Sequence, residues 1–208
     1  MHVHITYTGG TIGMVDSPHG LVPGADLEGW LDSLLKGTPL ARSVSVTSLE
    51  PLIDSSNATP LSWQAIVDDL RAHAAADPRT AFVILHGTDT MAYTSAALSY
   101  ALTDLSVPVV VTGSQLPLGE LGTDAAANVT GALKAATSGR LSGVALFFGH
   151  RLLAGNRVTK SSSWAFTGFE SPNAAPLATT GAPWQWAPCT RGGAGWKDAA
   201  PYARHDVI

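Results

Sequence analysis

The sequence predicts an α/β protein: a single three-layer domain with a mostly parallel sheet between helices. Three observations predict it. Short apolar runs rich in β-formers recur, as in Phe82–Leu85, Val107–Thr112 and Gly143–Phe148, and such runs read as strands buried on both faces. Segments with apolar residues at helical spacing separate them, so the order is strand, loop, helix, repeated, which calls for parallel strands joined by crossover helices. Glycine, threonine, serine and aspartate gather just after the strands, at the edge where open α/β sheets bind ligands. Residues 1–178 are assigned to this domain and 179–208 to an irregular tail rich in Pro, Gly and Trp.

Taken in order, residues 2–7 form a short strand that ends in Thr8-Gly9-Gly10-Thr11-Ile12-Gly13, where glycines let the backbone turn sharply and approach a ligand. Residues 14–25 hold two glycines and two prolines without periodicity, which predicts a mobile loop beside Thr11, a candidate lid. Leu27, Trp30, Leu31, Leu34 and Leu35 predict a helix. Ser43 to Leu49 alternates as a strand and leads into the polar stretch Asp54-Ser55-Ser56-Asn57. Thr59-Pro60 starts a helix, with Pro at its first position, and Trp63, Ile66, Val67 and Leu70 supply its apolar face.

The run Phe82–Leu85 breaks at His86-Gly87, and Thr88-Asp89-Thr90 stand where the next helix should begin. Val107–Thr112 is a further strand, residues 123–137 an Ala-rich helix, and Gly143–Phe148 another buried strand. Leu152 to Lys160 looks extended. Residues 171–208 carry five prolines and three tryptophans, with no defensible helix or strand pattern.

Composition excludes several function classes. The 208 residues carry a net charge of −4 with no basic run, so nucleic acid is not an expected partner. The single cysteine, Cys189, excludes an intramolecular disulfide framework and suits a reducing compartment. Nothing approaches the roughly 18–20 apolar residues that span a bilayer, and no signal-peptide pattern precedes the first strand. A soluble, cytoplasmic, globular protein with no membrane partner is expected.

The candidate chemistry sits at strand ends: Thr11, the Asp54-Ser55-Ser56 cluster, and Thr88-Asp89, with Lys160 in a Thr/Ser-rich setting. Each has a local alternative. Thr and Asp are good helix N-caps, and glycines around Thr11 suit a tight turn. The glycine spacing is neither G-x-G-x-x-G nor G-x-x-x-x-G-K-[ST], and G-x-S-x-G, H-E-x-x-H and paired cysteines are missing, so phosphate-loop, serine-hydrolase and zinc readings lack support. His2 and His4 share a strand face but have no third metal ligand nearby in sequence. A threonine hydroxyl is a weak nucleophile that needs a base, such as a desolvated neutral lysine or a phenolate-like tyrosine. Backbone N–H groups at glycine turns and helix starts can hold an oxyanion. Together these suit acyl transfer from an amide or ester.

Thr8-Gly-Gly-Thr-Ile-Gly-Met14 and His86-Gly-Thr-Asp-Thr-Met91 resemble the two signature motifs of the bacterial-type L-asparaginase family, which also takes in glutaminase-asparaginases and an archaeal tRNA-amidotransferase subunit. Pro51–Asn57 with Thr59-Pro60, Gly155–Lys160, Ser171-Pro172-Asn173 and Pro176-Leu177 extend the likeness, which is to the cytoplasmic type I branch and covers residues 1–178. The resemblance implies the fold of the family's N-terminal domain and hydrolysis of L-asparagine to L-aspartate and ammonia through a threonine acyl-enzyme. It implies Thr11 as nucleophile and Thr88, Asp89 and Lys160 as a second polar triad. Asp89 would also bind the substrate's α-ammonium, while Ser55 and Ser56, in the cluster with Asp54, would bind its α-carboxylate. It implies neither metal nor organic cofactor, and a homodimer.

Two departures qualify the resemblance. The family loop after Thr11 usually carries a tyrosine that relays the proton of Thr11; here Leu21 takes that place. Lys160 or water must then substitute, or Thr88 is the nucleophile. The family also continues into a smaller C-terminal α/β domain, so a short form without it is expected. The alternative function is a catalytically weak or inactive asparagine/aspartate-binding protein, a sensor or truncated remnant. Glutamine and asparagine differ by one methylene, worth about 1–3 kcal/mol of discrimination.

Overall fold

A computed structural model describes residues 1–103 and 106–188. Its elements in chain order are β1 (Val3–Tyr7), β2 (Met14–Ser17), β3 (Gly20–Pro23), α1 (Leu27–Leu35), β4 (Val44–Ser48), α2 (Pro60–Ala76), β5 (Ala81–Leu85), α3 (Met91–Ala101), β6 (Pro108–Thr112), α4 (Ala125–Ala136), β7 (Gly143–Phe148), β8 (Arg151–Ala154), β9 (Thr159–Lys160), β10 (Phe169–Glu170), β11 (Ala178–Thr179) and β12 (Gln185–Trp186). The main sheet has eight strands in the order β12-β11-β8-β7-β6-β5-β1-β4. From β4 to β7 every pairing is parallel; β8, β11 and β12 add an antiparallel edge.

Side-chain alternation along the strands divides the core into two layers. Val3, Ile5, Val83, Leu85, Val110 and Phe147 face α1 and α4, where Leu27, Leu31, Leu35, Val129 and Leu133 meet them. Phe82, Ile84, Val109, Val111, Leu146 and Phe148 face α2 and α3, against Ile66, Leu70, Met91 and Leu98. Burying each such side chain contributes about 1.5–3 kcal/mol before chain entropy is subtracted, which is why short runs of Val, Ile and Phe can specify a two-sided sheet. The α/β three-layer expectation matches this architecture.

The topology places a ligand site. From β1 the chain reaches β4 through α1 on one face, then crosses through α2 on the other face to β5, on the far side of β1. The strand order therefore reverses at β1, and loops leaving the carboxyl ends of β4, β1 and β5 open onto one crevice. The β6–α4–β7 connection advances in the same direction as β5–α3–β6 but lies on the opposite face. It thus has the opposite hand, a departure from the right-handed rule, and it brings the long segment 113–124 over the β1 and β5 ends.

Two sequence expectations change. The mobile loop expected at 14–25 contains a hairpin, with Met14 paired to Pro23 and Ser17 to Gly20. Its turn is closed by Ser17, whose Oγ donates to the Gly20 carbonyl and accepts from His19 N–H, while Gly20 takes a φ of 98°. The hairpin stands off the core, so its strands lack the apolar alternation that marks a half-buried strand. Within the expected irregular tail, Ala187 N–H donates to the Leu177 carbonyl and Gln185–Trp186 closes the sheet edge. Trp184 stacks on Phe147, with ring centroids 5.6 Å apart. Cys189 and the rest of the tail lie outside the described residues. No helix among the described residues is long and apolar enough to cross a membrane.

Candidate active site

The loops after β1, β4 and β5 meet through glycines. Gly9 and Gly10 hold φ values of 118° and 93°, a left-handed region that side chains rarely adopt. A Cβ on Gly10 would strike the backbone of Gly87, and a Cβ on Gly87 would strike the Ser55 side chain. Gly10 and Gly87 therefore touch backbone to backbone with the Ser55 side chain packed on Gly87, as no other residue type at the two glycines would allow. Thr11 and Thr88, each following one of the touching glycines, flank this contact.

Thr11 opens a single 3-10 turn, Thr11–Gly13, and is half-buried. Among the described residues nothing hydrogen-bonds its hydroxyl. Beneath this turn the phenol of Tyr7 fills the space left by Gly13, and burial raises its pKa above the ordinary tyrosine value.

Thr88 and Asp89 do not cap the following helix. Helix α3 starts at Met91, and its N-cap Thr90 donates its hydroxyl to the Ser55 carbonyl at 2.7 Å. Instead Lys160 Nζ donates to Thr88 Oγ1 and to Asp89 Oδ1, both at 2.9 Å. The lysine reaches the site from the β9–β10 hairpin, 72 residues further along the chain than Thr88. Its side chain is only 17% exposed, while that of Asp89 is 61% exposed. One end of the pair is thus fixed and the other open to a solute. Asp89 Oδ2 has no bond to the described residues and remains available to a cation.

The third cluster divides. Ser55 is buried against Gly87. Asp54 is exposed and engaged within its own turn: Oδ1 accepts from Ser56 N–H at 3.0 Å and Ser56 Oγ at 2.8 Å, and Oδ2 accepts from Asn57 Nδ2 at 2.8 Å. The Ser56 bonds, foremost, hold its carboxyl below the usual aspartate range. Of this cluster Ser55 lies deepest in the crevice, Ser56 is exposed, and Asp54 shapes the turn that presents them.

A carboxyl-edge crevice built on Thr-Gly-Gly-Thr and His-Gly-Thr-Asp turns, with a lysine bridging from a remote hairpin, agrees with the sequence match to the family described as "Asparaginase, N-terminal", which spans residues 2–188. This chain belongs to the asparaginase family. It is 45% identical over 184 residues to L-asparaginase 1 of Escherichia coli (strain K12), taking in 86% of this chain and 53% of that protein. It is 38% identical over 198 residues to the 60 kDa lysophospholipase of Mus musculus, covering 85% of this chain and 35% of that one. Among solved structures, L-asparaginase I from Vibrio cholerae O1 biovar eltor str. N16961 aligns with a TM-score of 0.85 at 40% identity, over 96% of this chain and 61% of that one. The chain spans about half the length of the asparaginase relative from Escherichia coli.

Sequence reading missed the supports of this asparaginase-family site. Segment 113–124 ties it together: Leu118 N–H donates to the Ile12 carbonyl beside Thr11, and Gln115 Nε2 donates to the Ala165 carbonyl on the Lys160 hairpin. Buried Asp124 anchors the segment, accepting from Gln115 N–H, Leu116 N–H and Asn128 Nδ2. Also missed was a buried chain through Trp63 Nε1, Thr94 Oγ1, His86 and the Gly87 carbonyl. Spacing offers no signal for either, because their members lie on different elements.

Leu21, at the position of the family tyrosine, lies on the outer hairpin and is 46% exposed. Away from the crevice, His4 gains the neighbours that its strand could not supply. Asp69 Oδ2 lies 3.2 Å from His4 Nε2, and His73 stacks on His4 with centroids 3.4 Å apart and planes at 18°. Nearly parallel imidazoles direct their in-plane lone pairs side by side, and His73 Nδ1 is bonded at 2.9 Å to its own helix at the Asp69 carbonyl. The stacked, nearly parallel arrangement does not suit two nitrogens converging on one ion.

Proposed function

We propose that this chain hydrolyses the side-chain amide of L-asparagine to L-aspartate and ammonia, with Thr11 as nucleophile. The observation that carries the reading is the pair of hydrogen bonds that Lys160 Nζ donates to Thr88 Oγ1 and Asp89 Oδ1 beside the Gly10–Gly87 contact. A lysine donating to both partners holds charge and orients Thr88; it leaves the Thr11 hydroxyl as the unengaged nucleophile of the crevice. Asp89 Oδ2 would take the substrate's α-ammonium and the Ser55 hydroxyl its α-carboxylate, joined by Ser56 once its hydroxyl turns from Asp54, so a small zwitterion finds a carboxylate for its cation and hydroxyl donors for its anion.

In the first step the Thr11 oxygen bonds to the amide carbon, the C–N bond breaks, and the hydroxyl proton leaves with the nitrogen as ammonia. In the second, water attacks the ester, releases aspartate and returns the proton to Thr11. A peptide is planar and trans, so the Thr88 N–H points opposite to the Gly87 carbonyl, which is bonded inward to His86. That orientation supports Thr88 N–H as a donor to the oxyanion of both steps. With Leu21 in place of tyrosine, the proton path runs through water, or through Lys160 after it passes one of its own protons to the leaving nitrogen. We also propose a cytoplasmic homodimer, which light scattering of the purified chain would test.

The test is ammonia release from L-asparagine and, separately, L-glutamine. Thr11→Ala and Thr88→Ala should each lower kcat by about 10³-fold or more, with L-aspartate binding retained in calorimetry. Wild-type turnover in both variants would overturn the reading. The Leu21 position favours a second reading, an asparagine- or aspartate-binding protein with little turnover; binding of either amino acid without ammonia release would select it.

A further inference from the structure

We propose that His86 is a positioning residue, which sets the orientation of Thr88 through a one-way hydrogen-bond chain from Trp63 by way of Thr94 to the Gly87 carbonyl. Its catalytic consequence rests on the amidohydrolase reading above. The direction of the chain follows from elementary donor and acceptor chemistry. Trp63 Nε1 only donates, so Thr94 Oγ1 accepts it, at 3.0 Å. The Gly87 carbonyl only accepts, so His86 Nδ1 carries a proton, at 2.7 Å. In the neutral ring Nε2 is then the acceptor, and the single hydroxyl proton of Thr94, 3.0 Å away, is given to it. Each donor has one acceptor and each acceptor one donor. Only the Nδ1–H tautomer satisfies all three bonds.

Burial supports the neutral state. His86 and Thr94 are both fully buried, and desolvation lowers the pKa of His86 below the ordinary histidine value, the Gly87 bond offsetting this in part. The chain spans α2, α3 and the end of β5, three elements that hydrophobic packing alone already joins. What its polar groups add lies at its far end. Gly87 has to lack a side chain because Gly10 and Ser55 press on it from two sides, and a glycine is the residue least able to hold its own dihedral angles. The carbonyl is the handle left for fixing the Gly87–Thr88 peptide, and His86 holds it. Turning that peptide would swing the Thr88 amide and shift its hydroxyl from Lys160.

The experiment uses the 208-residue chain with nitrogen-15 histidine and backbone labels. Long-range histidine spectra should show His86 protonated at Nδ1 and unprotonated at Nε2 near neutral pH. Thr94→Val keeps the shape and removes the hydroxyl; Thr94→Ser keeps the hydroxyl. Thr94→Val should move the Thr88 amide resonance and lower kcat by about tenfold or more with KM little changed, whereas Thr94→Ser should stay within about twofold of wild type. Trp63→Phe is the second probe, because it releases the acceptor site of Thr94 while keeping an aromatic ring; it should move the same resonance by less. An Nε2-protonated His86, or a Thr88 resonance that stays put in both Thr94→Val and Trp63→Phe, overturns the proposal. If the wild type releases no ammonia, the amidohydrolase reading falls, while the tautomer and the Thr88 resonance still decide the chain.

Discussion

Replacing Lys160 by methionine should separate activity from stability. The ammonium makes two 2.9 Å bonds, to Thr88 Oγ1 and Asp89 Oδ1. At the dielectric of water a charge pair at that distance is worth about 1.4 kcal/mol before the entropy of ordering two side chains is subtracted, and measured pairs with an exposed partner give about 0.2–1 kcal/mol. Asp89, 61% exposed, rehydrates when the lysine is gone, and methionine preserves most of the packed stem. The stability loss should therefore stay near 1 kcal/mol, or about 2–4 °C in Tm for a chain of this size. Turnover should respond on another scale, since removing a fixed electrostatic group from a reacting centre costs about 10²–10³ in kcat. The assay pairs ammonia release from asparagine with calorimetric unfolding of the same preparation. A Lys160→Met variant with near wild-type kcat would refute the catalytic role. Retained kcat with a melting point more than about 10 °C lower would make the lysine a structural strut.

Other consequences follow from the same geometry. Gly10→Ala combines a φ of 93° with a collision against the Gly87 backbone, so it should cost more than about 3 kcal/mol, read as a collapse of the denaturant midpoint or of soluble yield. Leu21→Tyr restores a phenol to the hairpin beside Thr11 and should raise kcat, by up to about 10²-fold if the ring relays the proton; unchanged turnover would place the proton path elsewhere. At Asp69 burial alone would raise the pKa, but bonds from His4 and Thr6 and the nearby imidazoles outweigh it, and the net shift is downward. A depressed carboxyl pKa stabilises the fold above the unfolded-state value, about 3.9, and that stability disappears as pH falls through the folded value. The unfolding midpoints of wild type and Asp69→Asn should therefore differ most near neutrality and converge below about pH 4; a gap that widens in acid would contradict the sign.

By itself the sequence determined the layers and the chemistry brought to the edge. Phe82–Leu85 and Gly143–Phe148 could only be strands buried on both faces, Leu27 to Leu35 could only bury one side of a helix, and the Gly-Thr and Gly-Thr-Asp turns announced exposed hydroxyls at strand ends. These are local properties, set by side-chain period and by the dihedral freedom of glycine. The hairpin at residues 14–25 escaped notice because a strand pair that covers no core carries no apolar alternation.

Tertiary structure alone decided which of the polar groups meet. Nothing in Thr88-Asp89-Thr90 distinguishes a helix cap from half of a lysine bridge until the β9–β10 hairpin delivers Lys160 from 72 residues away. Asp54 and Ser55 are adjacent in the chain, yet one accepts from Ser56 and Asn57 in its own turn and the other packs beneath Gly87. His86 reads as a motif residue, while its tautomer is fixed by Thr94 and, through it, by Trp63 on another helix. Hydrogen bonds and close glycine contacts are satisfied in space, between elements whose order along the chain says little about their distance, and so the pairing belongs to the fold.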